Sequence, residues 1–83
     1  MYYVYVLKSR KDNKLYIGLT NDLRKRLFEH NQGMNKSTQY RRPLKLIYYE
    51  VYISVTDAQI REKKLKNFKN SYAELKKRII NSL

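Results

Sequence analysis

The sequence predicts an α/β (α+β) fold: a small three-stranded, mainly antiparallel sheet flanked by helices, in the order ββαβαα. Three observations carry this prediction. First, the segments 2–8, 15–19 and 44–53 (YYVYVLK, LYIGL and LKLIYYEVYI) are dominated by aromatic, β-branched and aliphatic residues, which suit pleated strands. Second, short polar side chains able to accept from free backbone N–H groups stand at three helix starts. Third, a chain of 83 residues can bury one modest core, so residues 1–83 are read as a single domain.

The first two strands read as a hairpin. Arg10-Lys11-Asp12-Asn13 supplies the turn, since Asp and Asn readily adopt turn geometry. A symmetric loop over 10–13 sets Ser9 against Lys14 and Leu7 against Tyr16. Alternation along each strand then puts Tyr5, Tyr16 and Gly18 on one face. Asn21 is the expected cap of the first helix, with Asp22 complementing its positive end. That helix should run to about Gln32 and stop at Gly33. Residues 34–43, MNKSTQYRRP, form a basic loop before the third strand. Thr56 with Gln59 reads as a capping box opening a helix over 57–69. Ser71 with Glu74 repeats the device and opens the last helix, which carries Leu75, Ile79 and Ile80.

Nineteen Lys and Arg residues against seven Asp and Glu give a net charge of +12. Such an excess draws polyanions, of which nucleic acid is the commonest. The absence of cysteine removes disulfides, thiolate zinc sites and cysteine nucleophiles together. No apolar run approaches the roughly 18 residues that span a bilayer, and MYYVYVLKSRK is apolar before it is basic, the reverse of a secretory signal. A cytoplasmic protein is expected.

Several polar residues fall on or beside apolar helix faces. Leu23 and Leu27 define the stripe of the first helix; His30 lies about 20° and Arg26 about 60° from Leu23 on the helical wheel. Two readings fit: a rim histidine with a snorkelling arginine, or a pair aimed at a site on the sheet. In the second helix, Glu62 lies about 40° from Ala58, on the face shared with Leu65. An ion pair with Arg61 or Lys66 explains it; so does a hard-oxygen ligand for a divalent cation. Among the nine tyrosines, Tyr48, Tyr49 and Tyr52 are assigned to packing.

Taken together, Tyr3-Val4-Tyr5, Tyr16-Ile17-Gly18, Arg26, His30 and Glu62 resemble the GIY-YIG nuclease superfamily, in particular its short stand-alone bacterial branch, which YRRPLKLIYYE at 40–50 also resembles. The resemblance implies a phosphodiesterase acting on nucleic acid, DNA more than RNA, with Mg²⁺ or Mn²⁺. It implies that Arg26 holds the scissile phosphate and Glu62 the metal. It further implies that Tyr16 activates water, that Tyr5 shapes the site, and that His30 assists proton transfer or orients its neighbours. Gly18, Lys36, Arg41 and Arg42 are the expected nucleic-acid contacts. The first motif lacks its glycine, and none of Asn67, Asn70 and Asn81 matches the late asparagine of many members.

The alternative is a catalytically weak or silent nucleic-acid-binding module on the same scaffold. Glu62 on an apolar face, together with Arg26 and His30, separates the two, because binding alone needs positive charge and not a buried carboxylate. The chain holds no recognisable base-reading element, so it should recognise nucleic-acid structure or rely on a separate specificity partner.

Overall fold

A computed structural model describes residues 1–83. Strand β1 (Tyr2–Ser9) lies between β2 (Leu15–Thr20) and β3 (Leu44–Tyr52), and both pairings are antiparallel. The hairpin has the expected register, with Leu7 opposite Tyr16 and Tyr5 opposite Gly18. Its turn is held from inside. The buried Ser9 hydroxyl accepts from the amides of Lys11 and Asp12 and donates to the Arg41 carbonyl at 2.6 Å.

Being central, β1 must be apolar on both sides. Val4 and Val6 join Ile17 on one face, beneath Ala58 and Leu65 of α2 (Val55–Asn67) and Leu75 of α3 (Lys69–Arg78), with Ile79 just beyond α3. Tyr5 and Leu7 join Leu44 on the other, beneath Leu23 and Leu27 of α1 (Leu23–Asn31). A bulge opposite Val6 and Leu7 puts an extra residue into β3. Ile47 and Tyr48 can therefore both serve the α2 side while Leu46 serves the α1 side. The side chain of Asn31 brackets Leu44, accepting from its amide at 2.8 Å and donating to its carbonyl at 3.0 Å, which ties the end of α1 to β3.

Helix boundaries differ from the sequence expectation at three caps. Asp22, not Asn21, caps α1, because its carboxylate accepts from the Lys25 amide at 3.0 Å. Ser54, not Thr56, caps α2 by accepting from the Asp57 amide, so that helix starts and ends two residues earlier than expected. Helix α3 begins at Lys69 after Phe68 with no side-chain cap, and Ser71 lies inside it. Burial of Leu65 and Leu75 at the α2–α3 junction does the work that a capping box was expected to do. Gly33 stops α1 as expected, at φ +77.

Candidate active site

The site is built from the α1 face of the hairpin, the inner turn of α1, and the flank of α2. Alternation brings Tyr5, Tyr16 and Gly18 to one face. The Tyr5 and Tyr16 rings stand 6.4 Å apart. Gly18 is buried, and a Cβ there would overlap the Tyr5 hydroxyl and ring, so only glycine lets the phenol lie across β2. Gly18, an expected nucleic-acid contact, is thus covered by Tyr5.

The wheel position of His30 resolves toward the sheet. The residue is fully buried in the last turn of α1, its ring edge-on to Tyr16 at 5.1 Å and to Tyr5 at 5.8 Å. Its Nε2 lies 2.9 Å from the Tyr5 hydroxyl, and its Nδ1 lies 2.7 Å from Oγ1 of Thr38. The buried phenolic hydrogen of Tyr5 needs an acceptor, and Nε2 supplies it. Tyr5 therefore donates to Nε2, which leaves the hydrogen of a neutral imidazole on Nδ1, donating to Thr38. Burial, followed by the charge of Arg26, holds the His30 pKa below its ordinary value and keeps the ring neutral.

Thr38 is fully buried and comes from the loop after α1. Sequence reasoning missed it, because nothing local distinguishes it from Ser37 beside it.

Two oppositely charged groups flank this neutral centre. Arg26 sits one turn before His30, part-exposed and paired with Glu29 at 3.3 Å. Glu62 belongs to α2 on the far side of the sheet, yet β2 is an edge strand, so residues of α2 reach around its rim. Lys66, one turn on, pairs with Glu62 at 3.2 Å and stands 6.0 Å from the centre of the Tyr16 ring. Burial pushes the Tyr5 phenol up to about 12; Tyr16 and Glu62 add to the rise, and Arg26 opposes it.

Of the possible ion partners, Glu62 takes Lys66, whereas Arg61 turns to β3. Arg61 grips Glu50 through Nε and Nη2, both at 2.9 Å, while Tyr48 and Tyr52 donate to the same carboxylate at 2.6 and 2.5 Å. This network belongs to the opposite face and ties α2 to the sheet. Tyr49, expected to pack, is instead 50% exposed.

The expected loop contacts have different surroundings. Lys36 is exposed. Arg41 pairs with Asp12 at 2.9 Å, which fastens the loop to the hairpin turn. Arg42 is exposed and donates from Nε to the Gln39 carbonyl.

No cluster of three His, Asp or Glu side chains suited to a metal is present. The donor set at the site is one carboxylate, that of Glu62, whose side chain keeps 20% of its surface exposed. This fits magnesium, which is commonly held by one or two carboxylates with phosphate and water completing its shell.

The family model described as the GIY-YIG catalytic domain matches residues 1–78. A UPF0213 protein of Staphylococcus saprophyticus is 40% identical over 68 residues, covering 81% of this chain and 82% of that one. A UPF0213 protein of Clostridium perfringens is 49% identical over 63 residues, covering 75% of this chain and 67% of that one. The solution NMR structure of the UPF0213 protein from Bacillus halodurans superimposes with a TM-score of 0.56 at 30% identity, covering 90% of this chain and 81% of that one.

Proposed function

The chain belongs to the GIY-YIG catalytic domain family, and from that premise we propose that it is a divalent-metal-dependent endonuclease. It hydrolyses phosphodiester bonds of nucleic acid, DNA before RNA. The observation that carries this reading is a carboxylate beside the tyrosines of a basic surface: Glu62 pairs with Lys66 at 3.2 Å, and Lys66 stands 6.0 Å from the centre of the Tyr16 ring. A surface that only binds nucleic acid gains from cations, and a carboxylate facing the phosphate opposes it. The same carboxylate becomes useful once it carries a metal.

Arg26 presents planar donors to the scissile phosphate. Its part-exposed pair with Glu29 is worth at most about 1 kcal/mol, so the guanidinium is easily released to substrate. Glu62 would hold Mg²⁺ or Mn²⁺. When bound there, the ion supplies Lewis acidity at the phosphate and makes its water a better nucleophile. Tyr16, half-buried and outside the Thr38–His30–Tyr5 chain, orients and deprotonates the attacking water, a role that requires its ionised form. Tyr5 is held neutral by burial and serves as the wall of the site. His30, fully buried, fixes Tyr5 and the edge of Tyr16. Lys36 and Arg42 take flanking phosphates; Arg41 joins them to the extent that Asp12 shares it.

Incubation with labelled duplex, branched and single-stranded DNA and RNA, in Mg²⁺ or Mn²⁺, tests the reading. Cleavage of at least one form is expected, slowed roughly 10²–10⁴-fold in Tyr16→Phe, the range for lost proton transfer. Tight binding of these forms with no cleavage of any would contradict it and leave a binding module.

A further inference from the structure

One aromatic pair on the α1 face has no part in the chemistry above. Tyr49 lies directly opposite Tyr5 on β3, and Tyr3 precedes Tyr5 by two residues on β1, opposite Val51. Residues opposed or two apart share a face. Tyr3, Tyr49 and Val51 therefore continue the surface that holds Tyr5 and Gly18. The Tyr3 and Tyr49 rings stand 6.0 Å apart, inclined at 60°. The α1 leucines pack on Tyr5, Leu7 and Leu44 and leave this end of the face open, with Tyr49 50% and Val51 43% exposed. In sequence, Tyr3 stands where the first motif would have its glycine, so this chain adds a ring where the motif has none.

We propose that Tyr3 and Tyr49 form a stacking platform for unpaired nucleobases beside Tyr5. The substrate class is then nucleic acid with single-stranded nucleotides next to the phosphate held by Arg26; this second step rests on the nuclease reading, whereas the platform itself does not. Bases inside a duplex already stack on their neighbours, while unpaired bases have free faces that tyrosine can cover. The chain's charge of +12 favours a polyanionic strand on this face. It also opposes a second copy of the same chain, the other plausible occupant of an open apolar face.

The test measures binding of a fluorescent oligothymidylate and of an abasic oligomer of equal length, with chelator present so that no cleavage occurs. Both oligomers carry the same phosphates, and only the first carries bases. The wild type should prefer the oligothymidylate, and Tyr3→Leu/Tyr49→Leu should lose roughly five- to 150-fold on it, the range for one stacked base. Its affinity for the abasic oligomer should be unchanged. Tyr3→Phe/Tyr49→Phe, which keeps both rings, should retain the preference, and the single Tyr49→Leu, at a half-exposed position, should show part of the loss.

Equal affinity for the two oligomers in the wild type, or an unchanged preference in a folded leucine variant, would overturn the platform. So would leucine substitutions that change only the concentration dependence of the sedimenting mass. Base-dependent loss in a chain that cleaves nothing would support the platform while contradicting the nuclease reading.

Discussion

The phenol of Tyr5 and the imidazole of His30, 25 residues apart in sequence, meet at 2.9 Å in the interior. The contact joins the central strand to the last turn of α1, and Thr38 holds the opposite nitrogen at 2.7 Å. It also orders the rings around it: one side of the imidazole supports Tyr5, and the ring meets Tyr16 at 5.1 Å.

Removing either end of this chain should be costly. Tyr5→Phe leaves Nε2 of His30 without a donor, and Thr38→Val leaves Nδ1–H without an acceptor. Each should lower stability by about 1–3 kcal/mol in urea unfolding, the cost of stranding one buried polar group. Wild-type midpoints in both variants would mean that the hydrogen bonds contribute nothing.

Gly18→Ala should cost about 1–3 kcal/mol by overpacking against the Tyr5 ring. The same substitution in a Tyr5→Leu background should cost less, because the atoms it strikes are gone. The two changes share a contact and should not be additive. Equal costs in both backgrounds would place the strain in the β2 backbone instead.

Helix starts show where local sequence stops being informative. Asn21 and Asp22 both suit a cap, and the choice rests on which one turns its oxygen toward Lys25. Thr56 with Gln59 makes a plausible box, yet α2 begins at the earlier Ser54. The strands were easier to read, because a short loop and strict alternation fix the register, and with it the shared face of Tyr5, Tyr16 and Gly18. His30 was legible from its angle to Leu23; its partner Thr38 was not, since the loop's tertiary path alone selects it. Similarly, the sequence offered Arg61 and Lys66 as partners of Glu62; the fold takes Lys66 and gives Arg61 to Glu50, a choice that only the tertiary placement of β3 decides.

Acid should weaken the fold through His30. Its folded pKa is depressed, by burial first and Arg26 second, so the unfolded chain takes up the proton earlier as pH falls. Stability is full above the ordinary histidine value of about 6.5 and declines below it. The decline should begin before the carboxylates, including the depressed Glu50, start to titrate. Urea midpoints measured stepwise downward from neutral pH check this, with His30→Gln losing that part of the slope. A flat wild-type profile over the same range would contradict the assignment.

Glu50 of β3 and Glu62 of α2 should separate stability from chemistry. Glu50 has four donors and a 14% exposed side chain; Glu50→Gln should cost about 3 kcal/mol, as for a broken, largely buried ion pair. Cleavage per folded molecule should stay at the wild-type level. Loss of cleavage in folded Glu50→Gln would move the metal assignment to the wrong side of the sheet for this account.

The most direct test of the central claim, that the site is catalytic and not merely adhesive, is single-turnover cleavage by Glu62→Gln at saturating Mg²⁺, with substrate affinity measured in parallel in chelator. The account predicts that cleavage is lost while affinity is unchanged or slightly higher, because a negative charge facing the phosphate has been removed. Wild-type cleavage by Glu62→Gln, or a loss of affinity that matches the loss of rate, would contradict it.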